Sequence, residues 1–142
     1  IRLYVFTYNG LKFWNKNSDN VQKRLEDEKK WWDKVYPEYE RLTRVEQWSG
    51  SYALMMPHFA EIPCERRGEF RDLIEQLLQT RFQNCNLVHP DIAWRNIGFQ
   101  FIRATQTEAP VIYDLCGLEN YVPDKVEDHN WIGKALSKLY PA

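Results

Sequence analysis

His89, Asp91, Asn96 and Asp114 have the residue types and spacing on which chemistry could rest. The first three lie in one run, His89-Pro90-Asp91-Ile92-Ala93-Trp94-Arg95-Asn96, and the fourth ends the apolar run Val111-Ile112-Tyr113-Asp114. Phosphoryl transfer needs a carboxylate beside the acceptor hydroxyl, to orient it and take its proton. It also needs oxygen ligands that hold magnesium against the phosphates. Asp91 suits the first task. Asn96 and Asp114 suit the second, because magnesium takes few carboxylates and fills its shell with phosphate and water oxygens. His89 would pack behind the loop and fix its backbone. A capped polar turn would also account for His89, Asp91 and Asn96, and Asp114 alone is an ordinary strand-end residue. The set weighs more than its members, because Asp114 stands where the loop requires a second acid.

Several elements must position these residues. Phe70, Leu73, Ile74, Leu77, Leu78 and Phe82 follow the spacing of one helical face and predict an amphipathic helix leading into the loop. Ile97 to Ile102 and Val111 to Tyr113 read as two short strands, with Arg103 to Pro110 as the polar loop between them. Upstream, Leu3 to Tyr8 is rich in strand formers and ends at Asn9-Gly10, with Leu11 to Trp14 as its hairpin partner. Val21, Leu25, Glu28, Trp32 and Val35 share a helical face, on which Glu28 is expected as a solvated shoulder. That helix should stop at Tyr36-Pro37. A strand is expected within Tyr39 to Trp48, and Tyr52 to Met56 reads as a buried strand. Trp31, Trp32 and Trp48 are expected in core packing. A short helix from Trp131 to Leu139 closes the chain. Helices and antiparallel strands in separate blocks give an α+β class.

The bulk properties set outer limits. The chain has 142 residues, 44% hydrophobic and 15% aromatic, which is enough for a real core. Lys and Arg number 19 against 20 Asp and Glu, for a net charge of −1, so no basic excess points to nucleic acid or an anionic membrane. No apolar run is long enough to span a membrane. Cys64, Cys85 and Cys116 form no C-x-x-C pair, so reduced, partly buried thiols and a reducing compartment are expected. The chain opens on Ile1 rather than Met, and its first residues are not a signal peptide. Further sequence is therefore expected upstream.

The run from His89 to Asn96 resembles the catalytic loop H-x-D-x-x-x-x-N of the protein-kinase-like superfamily. Asp114-Leu115-Cys116-Gly117 is similar to the family's metal-binding D-F-G, one residue longer before the glycine. Tyr52 to Met56 with Pro57-His58-Phe59 looks like the strand and hinge that contact adenine. Asp128-His129-Asn130-Trp131-Ile132-Gly133 is similar to the D-x-W-x-x-G that opens a later helix, with the Trp displaced by one. Within the superfamily the chain looks most like the kinase-like domains of Crinkler-type effectors, whose loop reads H-x-D-x-x-W-x-N; Trp94 fits that variant. The resemblance implies a reduced kinase-like fold: a small antiparallel sheet with one helix in residues 1–60, then a truncated helical lobe in residues 61–142. It implies ATP and magnesium as cofactors and a nucleotide and a protein as partners. Asp91 would be the base with His89 and Asn96 in support, Asn96 and Asp114 the metal ligands, and Met56, His58 and Lys12 the nucleotide contacts. A host-cell cytoplasm or nucleus follows from the Crinkler likeness alone.

The departures are specific. No G-x-G-x-x-G precedes the first strand. Thr7 stands where the phosphate-pairing Lys belongs, and Lys12 is the nearest lysine. There is no A-P-E, and an activation segment of ordinary length does not fit between Asp114 and Asp128. Three readings follow: a phosphotransferase, incomplete or weakly active; a pseudokinase acting as an effector-type interaction module; and a fragment of an aminoglycoside- or choline-type small-molecule kinase.

Overall fold

The computed structural model describes residues 3–6, 18–48, 50–57, 59–125 and 129–141. The α+β chain divides into two units, Ile1–His58 and Phe59–Ala142. The expectations on Thr7, Lys12, His58, Asp128 and the Leu11 to Trp14 hairpin partner lie outside the described residues.

In the first unit, β1 (Leu3–Phe6), β2 (Arg44–Trp48) and β3 (Ser51–Pro57) form an antiparallel sheet in the order β1-β3-β2. Trp48 pairs with Ser51, so the chain reverses over two residues. Gly50 takes φ +81° there, a conformation that is cheap only for glycine. The strand expected within Tyr39 to Trp48 is β2, and ahead of it Pro37, which fixes φ, opens a 3-10 turn over Pro37–Tyr39. Helix α1 (Ser18–Val35) packs on β3 and β2. Val21, Leu25, Trp32 and Val35 are buried, as their spacing predicts.

Glu28 is a correction. It is not a solvated shoulder but fully buried. Leu25, Glu28 and Trp32 are spaced three and four apart, so the helical period carries the carboxylate inward with its apolar neighbours. Among the tryptophans, Trp32 is core, while Trp31 is half-buried with the Lys34 ammonium 5.7 Å from its ring centre.

The second unit holds an antiparallel sheet in the order β4-β6-β7: β4 (Ala60–Glu61), β6 (Ile97–Ile102) and β7 (Thr107–Ile112). A two-stranded ladder joins β5 (Leu87–Val88) to β8 (Glu119–Asn120). The expected Arg103 to Pro110 loop shrinks to a four-residue turn, since Ile102 pairs with Thr107 and β7 starts there. Pro110 sits within β7 although it lacks an N–H, which an edge strand tolerates.

The helix expected over residues 70–82 is composite: a 3-10 stretch Cys64–Phe70, then α2 (Arg71–Leu77), a π-helical turn Leu78–Phe82 and a 3-10 turn Gln83–Cys85. Phe70, Ile74, Leu78 and Phe82 are buried, whereas Leu73 is 41% exposed. The buried residues repeat every four positions, and three such steps overrun 3.6-residue turns by about 120° in all. The wider π turn brings Phe82 back toward the face of Phe70. Helix α3 (Trp131–Leu139) follows its predicted span and buries Trp131, Ile132, Ala135, Leu136 and Leu139. Among the described residues no helix is long and apolar enough to cross a membrane. Cys64 is exposed, against the expected partial burial, and Cys85 is half-buried.

Gly98 lets β4 approach β6. A Cβ there would lie 2.8 Å from Phe59 Cβ and 2.9 Å from the Ala60 carbonyl oxygen. Gly98→Ala must push β4 aside, and overpacking of this kind costs about 1–3 kcal/mol. Urea denaturation is expected to show the loss, and a variant as stable as wild type would contradict it.

Candidate functional site

The second unit assembles the four residues by topology. Asn86, in a left-handed conformation, ends the composite helix and turns the chain into β5. His89 follows β5 directly, and Asn96 directly precedes β6. Ile97 pairs with Ile112, and the Tyr113 N–H donates to the Asn96 carbonyl at 2.8 Å. The open end of the β6–β7 hairpin therefore sets Asn96 beside Tyr113-Asp114.

His89 ties the two segments together. It is buried, and its Nδ1 accepts the Asp91 N–H at 3.1 Å. That makes Nε2 the protonated nitrogen of a neutral ring, which donates to the Tyr113 carbonyl at 3.3 Å. Burial pushes the His89 pKa down, against the attraction of Asp114 and Asp91. Phe82 meets the ring edge-on at 5.9 Å between centroids.

Asn96 is also buried. Its Nδ2 donates to the Asp91 carbonyl at 3.0 Å and more weakly to Asp91 Oδ2 at 3.4 Å. The amide nitrogen is thus committed to Asp91, which orients Oδ1 as the amide's remaining acceptor. Asp114 takes φ +61°, ψ +66°. A non-glycine residue there costs on the order of 1 kcal/mol, and such strain concentrates at functional sites. Sequence pattern gave no hint of it.

Arg95 is the residue that sequence reasoning missed. Its Nη2 lies 2.7 and 2.6 Å from the two Asp91 carboxylate oxygens. The guanidinium beside Asp91 holds its carboxyl below the usual carboxylate range. The four-residue spacing from Asp91 was the available signal. Trp94 anchors the loop from behind. Its Nε1–H donates to the Leu139 carbonyl at 3.2 Å, Arg67 stacks over its ring at 4.5 Å, and Tyr140 donates to the Arg67 carbonyl at 2.6 Å.

Met56 is buried in β3 of the first unit. Among the described residues no group of three His, Cys, Asp or Glu could hold a metal ion. Asn96 and Asp114 supply one amide and one carboxylate oxygen, a donor set that fits magnesium with phosphate and water, and not a protein-only cage.

No curated protein matches the chain. Residues 6–100 match the model of the Family of unknown function (DUF5898), a match that runs from the last residue of β1 through most of β6 and includes His89, Asp91 and Asn96, and the chain belongs to that family.

Proposed function

We propose that the chain is the core of a kinase-like phosphotransferase that uses ATP and magnesium. The observation that carries this reading is the joint placement at the hairpin end. Asn96 is bonded to Asp91, and His89 bridges Asp91 to the backbone next to Asp114. A polar turn needs no second acid held in a left-handed conformation. The first unit adds support: β1, which the resemblance assigns to the phosphate-pairing strand, lies beside β3, which it assigns to adenine. Buried Glu28 faces that sheet from α1.

In this reading Asp91 orients the acceptor hydroxyl and takes its proton. The amide nitrogen of Asn96 fixes the carboxylate. Asn96 Oδ1 and the Asp114 carboxylate would hold magnesium, which neutralises phosphate charge when bound. His89 keeps the two acidic segments in register and stays neutral.

A second reading, the pseudokinase, is favoured by one feature. Arg95 occupies both Asp91 oxygens at 2.6–2.7 Å, so an acceptor must displace a charge-assisted pair before Asp91 can act.

Thermal shift with ATP and magnesium separates the readings from a scaffold without ligand. Wild type is expected to be stabilised by the pair together and Asp114→Asn is not, because ligand bound only to the folded state raises the melting temperature. Wild type unmoved by ATP and magnesium would sink the nucleotide-dependent reading.

A further inference from the structure

A cavity of about 390 Å³ opens between the loop that carries His89 and helix α3. It is distinct from the hairpin end that holds Asn96 and Asp114, although His89 and Ile92 wall it from the loop side. Its volume is in the range of small-molecule sites. The buried side chains of Ile92, Trp131 and Ala135 give it an apolar floor.

Its rim is basic. Lys134 and Lys138 stand four residues apart on α3, so they rise from one face of the helix on successive turns. Neither makes an ion pair with a carboxylate among the described residues. The other charges on the rim, Lys125 and Glu119, pair with each other at 3.3 Å and largely cancel. Lys138 is also close enough to Asp91 for its charge to favour the ionised carboxylate.

We propose that this cavity binds a small phosphate monoester. Two ammonium groups that make no ion pair among the described residues match the charge of such a group, roughly −1.5 to −2 at neutral pH, better than a single carboxylate. The apolar floor takes the carbon skeleton. That the bound molecule is also the phosphoryl acceptor rests on the phosphotransferase reading, since the cavity adjoins the Asp91 loop. Binding of the phosphate does not.

Calorimetric titration with glycerol 3-phosphate, without nucleotide, tests the site. Saturable binding is expected, weakened about tenfold or more by Lys134→Glu and by Lys138→Glu, the scale of one charge-assisted contact. Lys23→Glu makes the same charge change on an exposed part of α1 and is expected to leave binding intact. Glycerate, with one carboxylate, is expected to bind at least about tenfold more weakly than the phosphate. Circular dichroism checks that the variants fold, as exposed lysines allow. No saturable binding, or binding that falls equally with Lys23→Glu, overturns the proposal. Binding in a protein that ATP and magnesium do not stabilise upholds the site and rejects only the acceptor role. A thermal response to ATP and magnesium without phosphate binding does the reverse.

Discussion

Asp91→Asn is expected to lower ATP turnover by about 10²–10⁴-fold, the usual contribution of a positioned general base, while leaving the ATP-magnesium thermal shift in place. The amide keeps the shape of the carboxylate and can still meet Asn96, so the loop should hold. It cannot take a proton. Asp114→Asn is expected to lose the thermal shift as well, because it removes the one carboxylate of the proposed metal pair. The two variants thus divide chemistry from binding. Arg95 adds a pH readout. Asp91 must be ionised to act, and Arg95 lowers its pKa, so activity extends further into acid than an unpaired carboxyl would allow. Arg95→Ala should move the acid limb of the pH-rate profile upward. Equal turnover in wild type and Asp91→Asn would exclude Asp91 as the base. An unmoved acid limb in Arg95→Ala would mean that the ion pair does not govern it.

The sequence pattern read the elements better than their internal geometry. α3 follows from periodicity, since its apolar positions are the ones that end up buried, whereas β6 follows from its run of strand formers and leaves Phe101 53% exposed. The composite helix was legible as a face but not as a mixture of 3-10, α and π turns. Its four-residue repeat of Phe70, Ile74, Leu78 and Phe82 fits tertiary packing that no local propensity encodes. Thr107 to Pro110 has the composition of a loop, yet pairing with β6 overrides it and starts β7 at Thr107. At Glu28 helical position overrides polarity, since the face it shares with Leu25 and Trp32 is the buried one.

The site was legible as a set of residue types and not as a set of bonds. His89, Asp91, Asn96 and Asp114 stand out by spacing, but the bridge through His89 depends on where β5 and the hairpin end meet. The left-handed turn at Asp114 and the Arg95 pair are likewise products of the fold. Arg95 is an exposed partner of a partly exposed carboxylate. Such a pair adds little to stability, a median of about 0–1 kcal/mol. Its consequence is for the protonation of Asp91.

His89→Ala carries the largest expected effect on stability, about 2–4 kcal/mol. The substitution removes a buried ring from against Phe82 and leaves the Asp91 N–H and the Tyr113 carbonyl without their present partner. It also releases the backbone that precedes the strained Asp114, so the ATP-magnesium response should weaken with stability. The pH dependence identifies the mechanism. The folded-state pKa of His89 lies below its unfolded value of about 6.5, because burial disfavours the imidazolium. In that window the unfolded chain binds the extra proton, so stability rises with pH there. The contribution of neutral His89 is complete above about pH 6.5 and is lost as pH falls toward the folded pKa. Urea unfolding of wild type and His89→Ala at pH 7.5 and pH 5.5 isolates the term, because the other titrating groups are common to both. The stability gap between the two proteins should be larger at pH 7.5. A gap that stays constant or widens in acid would mean that His89 is not held neutral between Asp91 and Tyr113, and the bridge across the site would fall with it.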